Sequence, residues 1–388
     1  MTKKLIRLGI AFIMLFSVVA FSGCGEITTV FAWYEGDGEY GTFQLVLNAG
    51  EIYTVRPERF SFLDFNVLVV ELVVTYETHE NVVAVNGNTI TALNNGRAEI
   101  VANVRERNVR INGRRYNRTW QFRIGEVRVL NEAHMTEIWT AQDLADMNND
   151  LDGSFVLRDN IDLSSFSDWS PIGGRTLGSG FSGAFINPNN YRIDKLYINT
   201  VLESDDDRLS LGKGLFTGIE YAFISGIILE NVNIVALSHE GTNAPRTFVG
   251  GIAASVFRST IVGVSVSGNI VGNHRVGGIA GSSADSQIIN SSFNGYVEAI
   301  WHTGDVRAGG IAGEMHGLYR PPWRWQRGLI DGCVVEANIK SYMGTVGGIV
   351  GTSFGWWNHE NTFDIVNSTF EGDLTGRITG TLRGHGAH

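Results

Sequence analysis

Four octets, VGGIAASV, VGGIAGSS, AGGIAGEM and VGGIVGTS, begin at residues 249, 276, 308 and 346. A strand-like stretch follows each: IVGVSVSGNI from 261, IINSSFNGYV from 288, IDGCVVEANI from 330 and IVNSTFEGDL from 365. After the leading Ile, the fifth and ninth successors are apolar and the seventh is Gly or Ala. ISGIILENVNI from 224, opened by GKGLFTGI, is a looser, earlier copy. Repetition every few tens of residues is the mark of a solenoid, whose units bury their apolar faces only against neighbours. Alternation with period two makes those units short strands rather than helices. The Gly-Gly pair is expected to supply a bend with positive φ and a close approach to the next coil. Ile252, Ile279, Ile311 and Ile349 are expected to stack as an interior ladder. The fold class expected is all-β, with a right-handed parallel β-helix over residues 129–388.

The intervals within units are unequal. From the first Gly of the pair to the small residue near the unit's end they are 18 for Gly250–Gly268 and for Gly277–Gly295, then 28 for Gly309–Ala337 and 25 for Gly347–Gly372. The added residues fall between the Gly-Gly strand and the following Ile, as EMHGLYRPPWRWQRG and FGWWNHENT. A solenoid takes insertions where a corner faces solvent, and equivalent corners of adjacent coils lie about 5 Å apart. Tyr319, Trp323, Arg324, Trp325, Trp356 and Trp357 are therefore expected in one neighbourhood. Exposed, they would form a platform for sugar rings or a partner protein's apolar surface. Folded down, they would bury their own rings against the flank.

The N-terminus reads as an export signal: Lys3, Lys4 and Arg7, then the apolar run LGIAFIMLFSVVAF, then SGCG. Cys24 after Gly23 resembles the lipobox of bacterial lipoproteins, with Phe21 where leucine is usual. That resemblance implies cleavage of residues 1–23, diacylation of Cys24, a tether over 24–39 and a place on the outer side of a bacterial membrane; plain secretion is the other reading. The mature chain would carry 27 Lys+Arg against 40 Asp+Glu, which argues against nucleic acid as a partner. Cys333 would be its one cysteine besides the anchor, so neither a disulfide framework nor a cysteine-rich metal site is expected.

Residues 40–128 alternate β-branched runs with turn signals, with Asn-Gly at 86–87, 95–96 and 112–113 marking hairpin reversals of a small β-sandwich. VVAVNGNTITALNNGRAEIVA resembles the group 2 bacterial Ig-like domains, which implies a spacer or adhesion module. Arg105, Arg107, Arg110, Arg114, Arg115 and Arg118 crowd the last hairpin. They suit either a binder of polyanionic wall polymers or phosphate headgroups, or a solvated hairpin whose charges block edge pairing.

Gly-Gly-Ile-Ala-Gly at this spacing resembles the GLUG motif of bacterial surface proteins. IWTAQDLADMNNDLDGSFVLRDNIDLSSFSDWSPIGG, FSGAF, YRIDKLYI and GLF resemble the segment that precedes such repeats. Within it, Thr140 and Asp143 form a capping-box pattern, with Leu144 and Met147 on one face of a short helix expected to cap the first coil. No such cover is evident at LTGRITGTLRGHGAH, so the tail folds back, a partner covers the end, or the chain continues.

β-Helices also host polysaccharide lyases and glycosidases, which need clustered carboxylates. Asp285, Glu314 and Asp331 are scattered instead, and ESDDDR at 203–208 reads as a solvated loop rather than a calcium site. GLUG repeats also accompany metallopeptidases that cleave immunoglobulin, yet His79-Glu80, His239-Glu240 and His359-Glu360 lack the second zinc-ligating histidine. No catalytic residue, metal or cofactor is therefore expected. The expected protein is a lipid-anchored, adhesin-like surface binder of a glycan or protein. A carbohydrate-active enzyme and a passive envelope component are the alternatives.

Overall fold

The computed structural model describes residues 43–55, 67–111, 114–174, 179–202, 211–238, 247–301, 306–317, 328–355 and 363–380. It is mostly β, with several parallel sheets stacked, consistent with a β-helix or solenoid. Among the described residues no helix is long and apolar enough to cross a membrane.

The first part of the chain forms seven strands: β1 (Phe43–Asn48), β2 (Ile52–Thr54), β3 (Val67–Glu77), β4 (Val83–Asn86), β5 (Thr89–Ala92), β6 (Gly96–Ile111) and β7 (Arg114–Leu130). They make one sheet in the order β1-β7-β6-β3 and another in the order β2-β5-β4. β1 runs parallel to β7, and the other pairs are antiparallel. Leu45, Leu47, Leu72, Val82, Ile90, Ile100, Val127 and Val129 close a common core.

The three Asn-Gly signals act differently. At 86–87 the hairpin forms, but Asn86 is the last paired residue and Gly87 (φ 57°) takes the first of two loop positions. That is where a type II′ loop places glycine. Asn112 and Gly113 lie outside the described residues, and the strands on either side of them pair through Ile111↔Arg114. Asn95-Gly96 is no hairpin: there the chain crosses from one sheet to the other. A Cβ on Gly96 would lie 2.7 Å from Thr78 Oγ1.

From Thr136 onward the chain coils. Four sheets run the length of the stack: A (eight strands, Thr136–Ile138 to Phe363–Val366), B (nine, starting at Ile161–Asp162), C (six, Leu211–Lys213 to Ile378–Gly380) and D (five, Phe216–Glu220 to Val350–Gly355). Each later coil visits C, D, A and B in turn. Parallel register sets like on like. Sheet A stacks Phe155, Phe185, Ile224, Ile261, Ile288, Ile330 and Ile365. Sheet B stacks Ile161, Ile193, Leu229, Val266, Phe293, Val335 and Phe370. Ile252, Ile279, Ile311 and Ile349 stand fully buried between sheets C and D, joined by N–H···O bonds of 2.9–3.0 Å. A short helix, α1 (Ala141–Asp146), has the expected capping box, with the Asp143 N–H donating to Thr140 Oγ1 at 3.1 Å. Leu144 and Met147 are buried in the same core as Ile138 and Phe155.

The Gly-Gly pairs serve space, not positive φ. None of their glycines has positive φ; left-handed residues stand instead at the corner between sheets A and B, as Gly226, Gly263, Asn290, Gly332 and Asn367, and at the corner between D and A, as Tyr221, Arg258 and Asp285. What the pairs provide is contact. A Cβ on Gly251, Gly278 or Gly310 would lie 2.7, 2.2 or 2.3 Å from the carbonyl oxygen of Gly278, Gly310 or Gly348 in the next coil. The third glycine of the octet, as Gly281 and Gly313, would put a Cβ 2.6 Å from the Val249 and Val276 nitrogens.

The first domain packs on the flank of the stack. Val46 and Leu130 join Val156, Ala184, Ile186, Phe223, Val262 and Ile289 of sheet A's outer face in one apolar cluster. Arg128 is buried there, and its Nη2 donates to the carbonyls of Ser182, at 3.0 Å, and Tyr221. Burial pushes its guanidinium down to about 10. Arg97 pairs with Glu126 at 3.0 Å and lies 4.3 Å from the Tyr221 ring centre.

Gly278→Ala should destabilise the protein by roughly 3 kcal/mol or more, because an overpacked methyl must displace backbone. Gly218→Ala, whose Cβ would meet nothing closer than 3.7 Å, should change stability by less than about 1 kcal/mol. Urea unfolding of the two variants tests the contrast.

Candidate functional site

Sheets C and D turn their outer faces toward each other at a re-entrant angle floored by the octet glycines. Along the lips stand two ladders. Sheet C carries Phe248, Arg275, Arg307 and Thr345 in register, and sheet D carries Ser255, Ser282, Glu314 and Thr352. The ladders touch: Thr345 Oγ1 is 2.6 Å from Thr352 Oγ1, and Arg307 Nη1 is 2.7 Å from Glu314 Oε2. Arg275 Nε reaches the same carboxylate oxygen, and its guanidinium lies 5.0 Å from the Phe248 ring centre.

All three charged side chains of this cluster are buried, at 6 %, 3 % and 9 % exposure for Arg275, Arg307 and Glu314. Burying charge is costly unless partners compensate, and removing one partner of such a set strands the others. One carboxylate held by two guanidiniums is thus a brace across the angle. His316 follows on the same strand, beyond the core residue Met315. Burial, and then the positive charges of Arg275 and Arg307, push its imidazole down to about 4. It is neutral at physiological pH.

The brace lies directly below the insertion corner. The strand bearing Glu314 and His316 ends at Gly317, which pairs with Gly355, and the chain returns at Gly328, which pairs with Phe363. The described residues that flank the two insertions are therefore paired neighbours in adjacent coils. The residues expected to bind ligand, Tyr319, Trp323, Arg324, Trp325, Trp356 and Trp357, lie outside the described residues, as does Cys24.

The Arg275–Glu314–Arg307 brace was not anticipated. Its sequence signal is an arginine one place ahead of two octets, in RVGG and RAGG, with glutamate inside the second. Glu314 read as a scattered acid because its partners belong to the facing sheet. The other two acids of that group are also engaged: Asp285 stands 3.7 Å from Arg258, and Asp331 accepts from Asn367 at 2.9 Å. Cys333 is buried, its thiol pushed up to about 12 by that burial, which suits a packed rather than a reactive group. Among the described residues no group of three or more His, Cys, Asp or Glu side chains is placed to hold a metal ion.

No family model matches the chain, and no curated protein matches it. Among solved structures it is similar to one described as IgA1 Protease, with 14 % identity and a TM-score of 0.35 over 95 % of this chain and 26 % of that one. The chain spans about a quarter of that protein's length.

Because the folded His316 takes up its proton near pH 4 and an ordinary histidine near 6.5, the unfolded chain binds more protons between those values. Stability is then lost as pH falls through that window, by up to about 3 kcal/mol. His316→Gln should flatten the pH dependence of thermal unfolding between 6.5 and 4; an unchanged profile counts against this placement of the imidazole.

Proposed function

We propose that the chain is a lipid-anchored bacterial surface protein, adhesin-like, whose tryptophan-rich edge binds an extracellular glycan or protein. In this reading an Ig-like first domain joins a right-handed parallel β-helix of GLUG-type repeats. The observation that carries it is the pairing of the two insertion exits, Gly317↔Gly355, and of their returns, Gly328↔Phe363. Insertions rooted side by side offer their aromatic residues to one ligand, and aromatic clusters of this kind serve sugar rings and apolar protein surfaces alike. The strand order β1-β7-β6-β3 against β2-β5-β4, with the first strand parallel to the last, supports the Ig-like reading. Glu314, clamped by two guanidiniums, suits bracing better than proton transfer, which favours binding over processing.

A glycan and matrix-protein binding array should identify a ligand for the protein, and Trp325→Ala and Trp356→Ala should each weaken it at least tenfold, as for a central aromatic contact. Unchanged binding in both variants overturns the platform.

The anchor is tested separately. Cys24→Ser should abolish incorporation of a radiolabelled fatty acid and move the protein from the detergent to the aqueous phase on partition. A variant that still takes up label disproves acylation at Cys24.

A further inference from the structure

The seat of the first domain on the solenoid holds a buried cation that is only half used. Arg128, on β7, is 4 % exposed. Its Nη2 serves the carbonyls of Ser182 and Tyr221, while Nη1 meets no acceptor among the described residues. Glu126, on the same face of β7, is engaged by Arg97 at 3.0 Å. Burial outweighs the attraction of Glu126, which is why the guanidinium is lowered to about 10. Arginine still carries its charge at neutral pH. That charge sits against neutral carbonyls, and a buried charge so placed is costly without a counter-ion.

Arg128 also lines a cavity of about 20 Å³ between the first domain and the solenoid. Leu45 and Val46 wall it from the first domain, and Ala222, Phe223, Arg258 and Thr260 from the solenoid. Arg258 adds a second positive charge. Its Nη1 donates to Tyr221 Oη at 2.7 Å, and its Nε stands 3.7 Å from Asp285 Oδ2, too far for a hydrogen bond. Glu126 lines the cavity too, with its charge offset by Arg97.

Size and chemistry together narrow the occupant. A cavity of this volume takes about one or two waters, hence one monatomic ion, and excludes an anion as bulky as a sugar acid. Water can accept from Nη1 but brings no charge. The apolar walls lower the local dielectric, which raises the value of a counter-charge over a dipole. No carboxylate of the described residues reaches Nη1, so a counter-charge comes from solution.

We propose that this cavity is a chloride site, in which one halide ion accepts from Arg128 Nη1, neutralises its charge and fastens the first domain to the solenoid. Arg258 supports the ion from the solenoid side, so the site is complete only when the two parts are seated together.

The test uses the full chain as Cys24→Ser, so that acylation plays no part. Crystals soaked in sodium bromide should show an anomalous scattering peak beside Arg128 Nη1. In solution, chloride substituted for gluconate at constant ionic strength should stabilise the protein, because gluconate is too large for the cavity. Once the site is filled, Tm should rise by roughly 2 °C for each fivefold increase in chloride. Arg128→Gln would lower Tm in every salt if Arg128 merely braced the seat; the proposal requires the difference between chloride and gluconate to vanish as well. Arg258→Gln, which leaves Arg128 and its carbonyl partners in place, should raise the chloride needed severalfold. Water alone at Nη1, or equal stabilisation by chloride and gluconate, overturns the proposal. So does a chloride effect that survives Arg128→Gln, which would place the ion elsewhere. Bromide in the crystal without a chloride-specific rise in Tm is binding at crystal concentration only, and overturns it too.

Discussion

Sheets C and D meet through bare backbone, and that contact shapes the rest of the solenoid. At Gly277, Gly281 and their equivalents, main chain of one sheet lies where any side chain would have to sit. Burying main chain is tolerable only when its polar groups are paired. The parallel bonds from coil to coil do this, as between Ile279 and Ile311. The tight angle keeps the apolar ladders of sheets A and B on the inside. It also brings Arg275, Arg307 and Glu314 within reach of one another.

The polar brace and the insertion corner are neighbours through the same geometry. Glu314 and His316 flank Met315, whose side chain belongs to the core, and their strand runs to Gly317. A rigid footing just before a long insertion fixes where the insertion starts. Thr345 and Thr352 extend the footing into the next coil, beneath the second insertion.

Much of the solenoid was legible because its signal repeats. Ile252, Ile279, Ile311 and Ile349 recur in one context and stack as read; Thr140 and Asp143 stand three residues apart in sequence and cap as read. The reason for the Gly-Gly pairs was misread, since sequence alone does not separate a glycine needed for φ from one needed for room. The positive φ values sit instead at Gly263, Asn290 and their equivalents, whose alternation of Gly and Asn carried that information. Asn95-Gly96 misled because the turn chemistry of a dipeptide does not say which sheet the next strand joins. The brace was missed because charge partners on facing sheets have no fixed spacing. The expected binding residues were legible only as two insertions at equivalent positions in the sequence; Trp323, Trp325, Trp356 and Trp357 lie outside the described residues.

The side-on seating of the first domain has a mechanical consequence. β1 is both the first described strand of the chain and a strand lying against the solenoid's flank, through Val46. Tension applied at Phe43 is thus delivered to a strand bonded along its length to β7 and pressed against several coils at once. Loaded in shear, such a row gives way collectively, whereas an end-on hinge would open one contact at a time.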